Sequence, residues 1–205
     1  MARSKGTADL ALASRDALAT RDRILTEAER LFRVYGYSKT TVADIAEATR
    51  MSPANVYRFF ASKSDINNAI CERILDAEEA ALQGIARLPL PAADRLRRLI
   101  LELHQRHLEN YMHNNKVHEM VHVAMEERWE AIGEHIRTVR ELVAAVVADG
   151  IAKGEFRTQD AKRAAACVSA AMPPLCHPLL LEQRIGDPQL ATADEIVEFI
   201  IRALS

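Results

Sequence analysis

The sequence predicts an all-α protein: short capped helices near the N-terminus, then a larger helical body. Three observations carry this. Only 7 Gly and 7 Pro occur in 205 residues, while the good helix formers Ala, Leu, Glu and Arg are common. Apolar residues recur three and four apart rather than alternating. Polar residues suited to helix starts, Thr41, Ser52 and Ser62, stand just before short apolar runs. No stretch reads as a strand of ordinary length, and no internal repeat is visible.

Residues 1–19 are small, polar and mixed in charge, and read as a flexible arm. A helix is expected from about Thr20, with Ile24, Ala28, Leu31 and Tyr35 at helical spacing, and Gly36 ends it where a left-handed residue costs least. Thr41-Val42-Ala43-Asp44 is a capping box pattern with Asp in place of Glu. It opens a helix to about Ala48 with Val42, Ile45 and Ala46 inward. Ser52-Pro53 is an N-cap followed by Pro at the first helical position, opening a helix to about Phe59. Ser62-Lys63-Ser64-Asp65 is a second capping box, leading a longer helix with Ile66, Ile70, Ile74 and Leu75.

Leu88-Pro89-Leu90-Pro91 is the clearest break. Beyond it helices are expected from about Ala92 to His113, from Val117 to about Met125 after a turn at Asn114-Asn115-Lys116, and from about Glu127 to Ala152. Another begins near Gln159 and is disturbed by Pro173-Pro174 and Pro178. The last runs from about Ala193 to Leu204. The expected division is an arm at 1–19, a head at 20–80 and a body at 81–205.

Charge is distributed unevenly. Residues 1–63 hold 11 Lys and Arg against 7 Asp and Glu, and the remainder holds 16 against 22. A basic head on an acidic body has the polarity of a nucleic-acid binder. The cysteines, Cys71, Cys167 and Cys176, are odd in number and form no CxxC, so no disulfide framework is implied. The longest apolar runs, such as Val143 to Ala148, are too short to cross a bilayer. Arg3 and Lys5 are not followed by an apolar signal core. The expected location is the cytoplasm.

The span from about Thr20 to Ala80 resembles the DNA-binding domain of the TetR family of transcription regulators. The match is carried by Ile24-Leu25, Ala28, Leu31-Phe32, Gly36-Tyr37, Thr40-Thr41-Val42, Asp44-Ile45-Ala46, Ser52, Val56-Tyr57, Phe60, and Ser62-Lys63 with Ile66. Many residue types agree at fixed spacing. The resemblance implies a helix-turn-helix whose second helix, from Ser52, enters the major groove N-terminus first. Pro53, Ala54 and Asn55 are then the first positions toward the bases. Asn55 can offer a bidentate amide to adenine or stand as a solvated polar residue. By family position Tyr57 looks like a phosphate contact, and Arg58 can reach a phosphate or a guanine. Phe60 reads as core. Lys63 lies at the positive end of a helix, mildly unfavourable by about 0.3–1 kcal/mol; a bound phosphate would reverse that sign. Thr41 can serve a phosphate while also capping. Two positions depart from the family pattern: Arg50 stands where Gly is common, and Phe59 where a polar aromatic such as His is common.

The same resemblance implies that the body binds a small molecule and forms a homodimer on double-stranded operator DNA. His107, Tyr111, His118, His122, Met125 and Trp129 are the candidate pocket residues, the last four sharing one helical face. A metal on His118 and His122 lacks defined further ligands, and no metal or cofactor is expected. His118-Glu119-Met120-Val121-His122 has the HExxH spacing, but no complete ligand set, nucleophile–base pair or phosphate loop accompanies it to support an enzyme. Ala164–Ala166, Ala170-Ala171 and the stripe Ile196, Val197, Ile200 and Ile201 make the last two helices dimer candidates.

Overall fold

The computed structural model describes residues 3–112, Met120, Val123, and residues 129–184 and 186–205. All regular structure among them is helical. The turn expected at Asn114–Lys116 and most of the expected helix at 117–125 lie outside the described residues.

Helix α1 spans Arg3–Tyr35. It begins well before the expected start at Thr20, with residues 3–19 continuous with it as helix. The reason is local. Thr20 does not cap; its hydroxyl donates to the Asp16 carbonyl at 2.8 Å, inside a continuous helix. The preceding residues include many Ala and Leu and no Pro, so nothing breaks the pattern upstream. Gly36 ends α1 at φ 98. Tyr35, at helical spacing with Ile24, Ala28 and Leu31, is exposed; the last turn instead buries Phe32, whose ring meets Tyr37 edge-on at 5.3 Å.

Helices α2 (Val42–Ala48), α3 (Pro53–Tyr57) and α4 (Lys63–Ala86) follow. Ile24, Phe32, Ile45, Val56, Ile66 and Ile70 are fully buried and form one core with their neighbours. Burying each such side chain is worth about 1.5–3 kcal/mol, which lets helices too short to stand alone persist. Arg73 of α4 ties the head together from outside, reaching Asp22 at 3.1 Å and Glu29 at 2.6 Å on α1.

The body comprises α5 (Ala92–Met112), α6 (Trp129–Ala152), α7 (Ala161–Ala171), α8 (Pro173–Cys176), α9 (Pro178–Arg184) and α10 (Ala193–Leu204). Its core joins Leu82 of α4 to Leu96, Ile100, Val143, Val147, Leu175 and Val197. Gly150 on α6 marks a close approach: a Cβ there would lie 2.4 Å from the Phe156 ring and 2.7 Å from the Ala92 side chain. Arg95 is buried where α5 meets α6; it donates to the Ala86 carbonyl at 3.1 Å and pairs with Asp149. Among the described residues no helix is long and apolar enough to cross a membrane.

Candidate nucleic-acid interface

The head builds its outward face from caps. Thr41 Oγ1 accepts from the Asp44 amide at 3.2 Å, and the Asp44 carboxylate accepts from the Thr41 amide at 2.7 Å, a complete capping box. The Thr41 hydroxyl also donates to the Asp44 carboxylate at 2.7 Å, and this bond first, then that of the Thr41 amide, holds the Asp44 carboxyl below its ordinary range. Ser52 Oγ accepts from the Asn55 amide at 3.2 Å, and Pro53 occupies the first helical position of α3. Ser62 Oγ accepts from the Asp65 amide at 3.0 Å, but the box expected there is only half made: the Asp65 carboxylate accepts from the Ser62 hydroxyl at 2.9 Å.

Helix α3 is pinned by one residue and open on its other sides. Val56 is fully buried, whereas Ser52, Pro53, Ala54, Tyr57 and Arg58 are exposed and Asn55 is half-buried. Arg58 Nη1 approaches Asn55 Oδ1 at 3.4 Å, so the amide and the guanidinium share one patch. Phe60 is buried in the core, as read from the sequence, with the Arg21 guanidinium 4.8 Å from its ring centre. Thr41, at the start of α2, is also exposed.

Arg50 adopts φ 55, the one positive value at a non-glycine among the described residues. The turn explains it. The Met51 amide bonds the Ala46 carbonyl at 2.8 Å and the Arg50 amide bonds the Glu47 carbonyl at 3.0 Å. That pair is the Schellman arrangement, which places its C′ residue in the left-handed region. The α2–α3 turn therefore keeps the geometry that Gly usually serves, at a modest strain.

Lys63 is placed differently from a free cation at a helix start. Its ammonium donates to the carbonyls of Tyr37 at 2.9 Å and Thr40 at 3.1 Å, and lies 4.1 Å from the centre of the Tyr37 ring. These partners offset the unfavourable helix end. They also fasten the start of α4 to the α1–α2 loop. Sequence reasoning missed this role; the nearby Gly36-Tyr37 turn was its only trace.

In the body, His107 is half-buried, with Nε2 3.5 Å from Glu78 Oε2. The side chains of Tyr111, His118, His122, Met125 and Trp129 lie outside the described residues. Glu78 is buried, and the His135 ring reaches it across the α4–α6 contact, Nε2 to Oε1 at 2.9 Å. His135 Nδ1 bonds Glu79 Oε1 at 3.0 Å. Burial alone would raise the Glu78 carboxyl; the bonds and charges of His107 and His135 outweigh it and bring it to about 2. A signal for this group was present: Ile66, Ile70, Ile74, Glu78 and Leu82 run at a spacing of four, and the carboxylate interrupts an apolar series. Among the described residues no group of His, Cys, Asp and Glu is arranged to hold a metal ion.

The stripe on α10 packs largely inward. Val197, Ile200 and Leu204 are buried in the chain's own core, with Ile196 and Ile201 packed against it. Outward, α7 presents Lys162, Arg163, Cys167, Ala170 and Ala171, and α10 presents Asp194, Glu195, Phe199, Arg202 and Ala203, with Phe199 74% exposed.

Comparison with known proteins agrees with this geometry. Residues 24–70 match the family described as "Bacterial regulatory proteins, tetR family", and residues 92–197 match "Tetracyclin repressor-like, C-terminal domain". The "HTH-type transcriptional regulator TcmR" of Streptomyces glaucescens is 40% identical over 72 residues, 35% of this chain; the match spans only 32% of that relative's length. A TetR/AcrR family regulator from Thermobifida fusca superposes with a TM-score of 0.66 at 29% identity, over 90% of this chain and 95% of that one. The TetR family regulator PfmR from Thermus thermophilus gives 0.58 at 26% identity, over 89% and 99%. RolR, solved in complex with resorcinol, gives 0.60 at 16% identity over 94% and 90%, a likeness of fold. An all-α chain with an exposed, capped second helix in its helix-turn-helix, matched along both of its parts, belongs to the TetR family of bacterial transcriptional regulators.

Proposed function

We propose that this protein is a cytoplasmic homodimeric repressor, without enzymatic activity, that a small-molecule effector releases from its operator. The observation that carries the reading is α3: a stub held by Val56, with Pro53, Ala54, Tyr57 and Arg58 facing solvent. Small residues at its N-terminus allow close approach to base edges. Asn55 and Arg58 then read bases, while Thr41, Ser52, Tyr57 and Lys63 sit beside phosphates. Lys63 has three N–H donors and uses two on carbonyls, which leaves one for a phosphate.

The head, 20–80, is carried by α4, and the body, 81–205, supplies the effector site and the dimer. Dimerisation uses the outward faces of the last helices, Phe199 and the small residues of α7, because the inward stripe is already packed. The effector occupies the side of the body near His107, with Tyr111, His118, His122, Met125 and Trp129 as further pocket residues. A second link joins body to head: Asn67 Nδ2 on α4 donates to the Met120 carbonyl at 3.0 Å, and the Met120 side chain is buried in the head's core. An effector that moves the segment around Met120 thus pulls on α4, and the linkage between effector and DNA is reciprocal.

The test is selection of duplexes from a random pool by the full-length protein, followed by salt titration of the enriched sequence. The expected product is a two-fold symmetric site with half-sites about one helical turn apart or a multiple. Lys63→Ala should bind more weakly, with a salt slope lower by about 1. An unchanged slope would confine Lys63 to holding the α1–α2 loop, and a pool with no enriched duplex would sink the reading as a whole.

A further inference from the structure

The contact between α4 and α6 turns on one ring. Both nitrogens of His135 face carboxylate oxygens, Nε2 at 2.9 Å from Glu78 and Nδ1 at 3.0 Å from Glu79. The Nδ1 contact is a hydrogen bond, whereas Glu78 Oε1 lies off the Nε2–H line and has no hydrogen-bond partner among the described residues. A neutral ring would leave that buried carboxylate without a positive charge from α6; the imidazolium sets one against both carboxylates. The ring is buried, as is Glu78, where an uncompensated charge is costly.

The surroundings favour the same form. The adjoining cleft, about 460 Å³, carries Glu72, Asp76 and Glu79 from α4 and Glu134, Arg137 and Glu141 from α6. Arg137 is itself paired with Glu134 at 3.3 Å. From α5, His107 approaches the other oxygen of Glu78; from α8, Cys176 is close enough for Glu78 to help raise its thiol to about 11, after burial. When His135 loses its proton, Glu79 faces a cleft that already carries four other carboxylates, Glu72, Asp76, Glu134 and Glu141, and Glu78 stays buried. The strain falls on the packing of α4 against α6.

We infer that Glu78, His135 and Glu79 form a proton-operated switch on α4: the structure holds its imidazolium form, and loss of that proton loosens α4 from α6 and changes how the head meets DNA. The transmission is direct. Helix α4 is unbroken from Lys63 to Ala86, so Glu78 lies about 22 Å from the helix start. There Lys63 grips the α1–α2 loop, and midway Arg73 grips α1. The head cannot supply this response itself, because none of the seven histidines precedes His104. Nor do the nearby thiols titrate in this range: burial first, then Glu29 and Glu72, raise Cys71 to about 12. The sign is fixed by His135, whose pKa is raised: burial lowers it, but its bonds and attraction to Glu78 and Glu79 outweigh that. The clamp is therefore complete below the ordinary value of 6.5 and is lost as pH rises through the higher folded value.

This inference rests on the DNA-binding reading, and the experiment separates the two. Binding of the full-length protein to the enriched duplex is measured at constant salt from about pH 6 to about pH 8.5. One proton per protomer allows at most about a tenfold change per pH unit, and a change of about threefold or more is expected across the range. In His135→Gln that change should disappear, and in Glu79→Gln, at a partly exposed position, its midpoint should move to lower pH. A flat wild-type profile, or an unaltered one in His135→Gln, overturns the switch. Independently of DNA, histidine ¹⁵N resonances of the free protein should show both His135 nitrogens protonated at about pH 6. A single-tautomer ring there overturns the inference even if no duplex is enriched.

Discussion

The head and the body are both helical, but they hold their helices together by different means. The head closes short helices over an apolar core and fixes each start with a side-chain cap, Thr41, Ser52 and Ser62. Its polar contacts with α4 are ion pairs and carbonyl bonds, with no histidine among them. The body packs longer helices around a larger core but places ionisable groups inside it: Arg95 where α5 meets α6, and Glu78 with His107 and His135 where α4, α5 and α6 meet. The lesson is a division of labour. A surface that must present Pro53, Ala54, Tyr57 and Arg58 in one fixed register is built from groups that do not titrate near neutrality. The part that must respond to conditions keeps groups that do.

The largest expected way to break this comparison is steric. Gly150→Ala forces a methyl toward the Phe156 ring and Ala92, and overpacking of this kind costs about 1–3 kcal/mol. The loss should fall on the body. Hydrogen exchange should show faster opening of residues 92–152, while protection across residues 24–70 changes little. Equal loosening of both segments would mean that the two cores unfold as one unit, and the comparison would fail.

A second test uses acid and base. The folded Glu78 carboxyl is depressed to about 2 from 4.5, so its contribution is present above 4.5 and is lost as pH falls toward 2. The raised His135 contributes fully below 6.5, and loses that contribution as pH climbs through its folded value. The melting temperature should therefore plateau between 4.5 and 6.5 and fall by a few degrees on the alkaline side. His135→Gln should flatten that alkaline fall. A wild-type melting temperature that keeps rising above the plateau would contradict the assignment of charge to this ring.

The two regions were also unequally legible from sequence. In the head, side chains that cap act within four residues of themselves, so Thr41, Ser52 and Gly36 could be placed from local pattern, while Phe60 was placed as core through the family resemblance. The α4, α5 and α10 boundaries followed for the same reason, with Pro91 and Thr192 as local stops and starts. What escaped were contacts between distant positions: Lys63 on Tyr37 and Thr40, Arg73 on Asp22 and Glu29, His135 on Glu78. The α10 stripe shows the limit clearly. Ile196, Val197, Ile200 and Ile201 announce an apolar face, but periodicity does not say which surface covers it, and here it is largely the chain's own core. The start of α1 escaped because Thr20 has the chemistry of a cap and uses it inside a helix.

The smallest expected effect sharpens the comparison most, because it should stabilise one region alone. Arg50 holds φ 55 at the C′ position of the α2–α3 turn. A side chain there costs roughly 1–2 kcal/mol relative to the right-handed region, a strain that Gly does not bear. Arg50→Gly returns part of this through greater freedom of the unfolded chain, about 0.4–1 kcal/mol, and forfeits a cation near the end of α2, about 0.3 kcal/mol. The net gain should be a few tenths of a kcal/mol, seen as slower exchange in residues 24–70 with residues 92–152 unmoved. If the variant instead loosens the head, then Arg50 makes a contact that outweighs its strain, and the turn would be held by that side chain as well as by its backbone bonds.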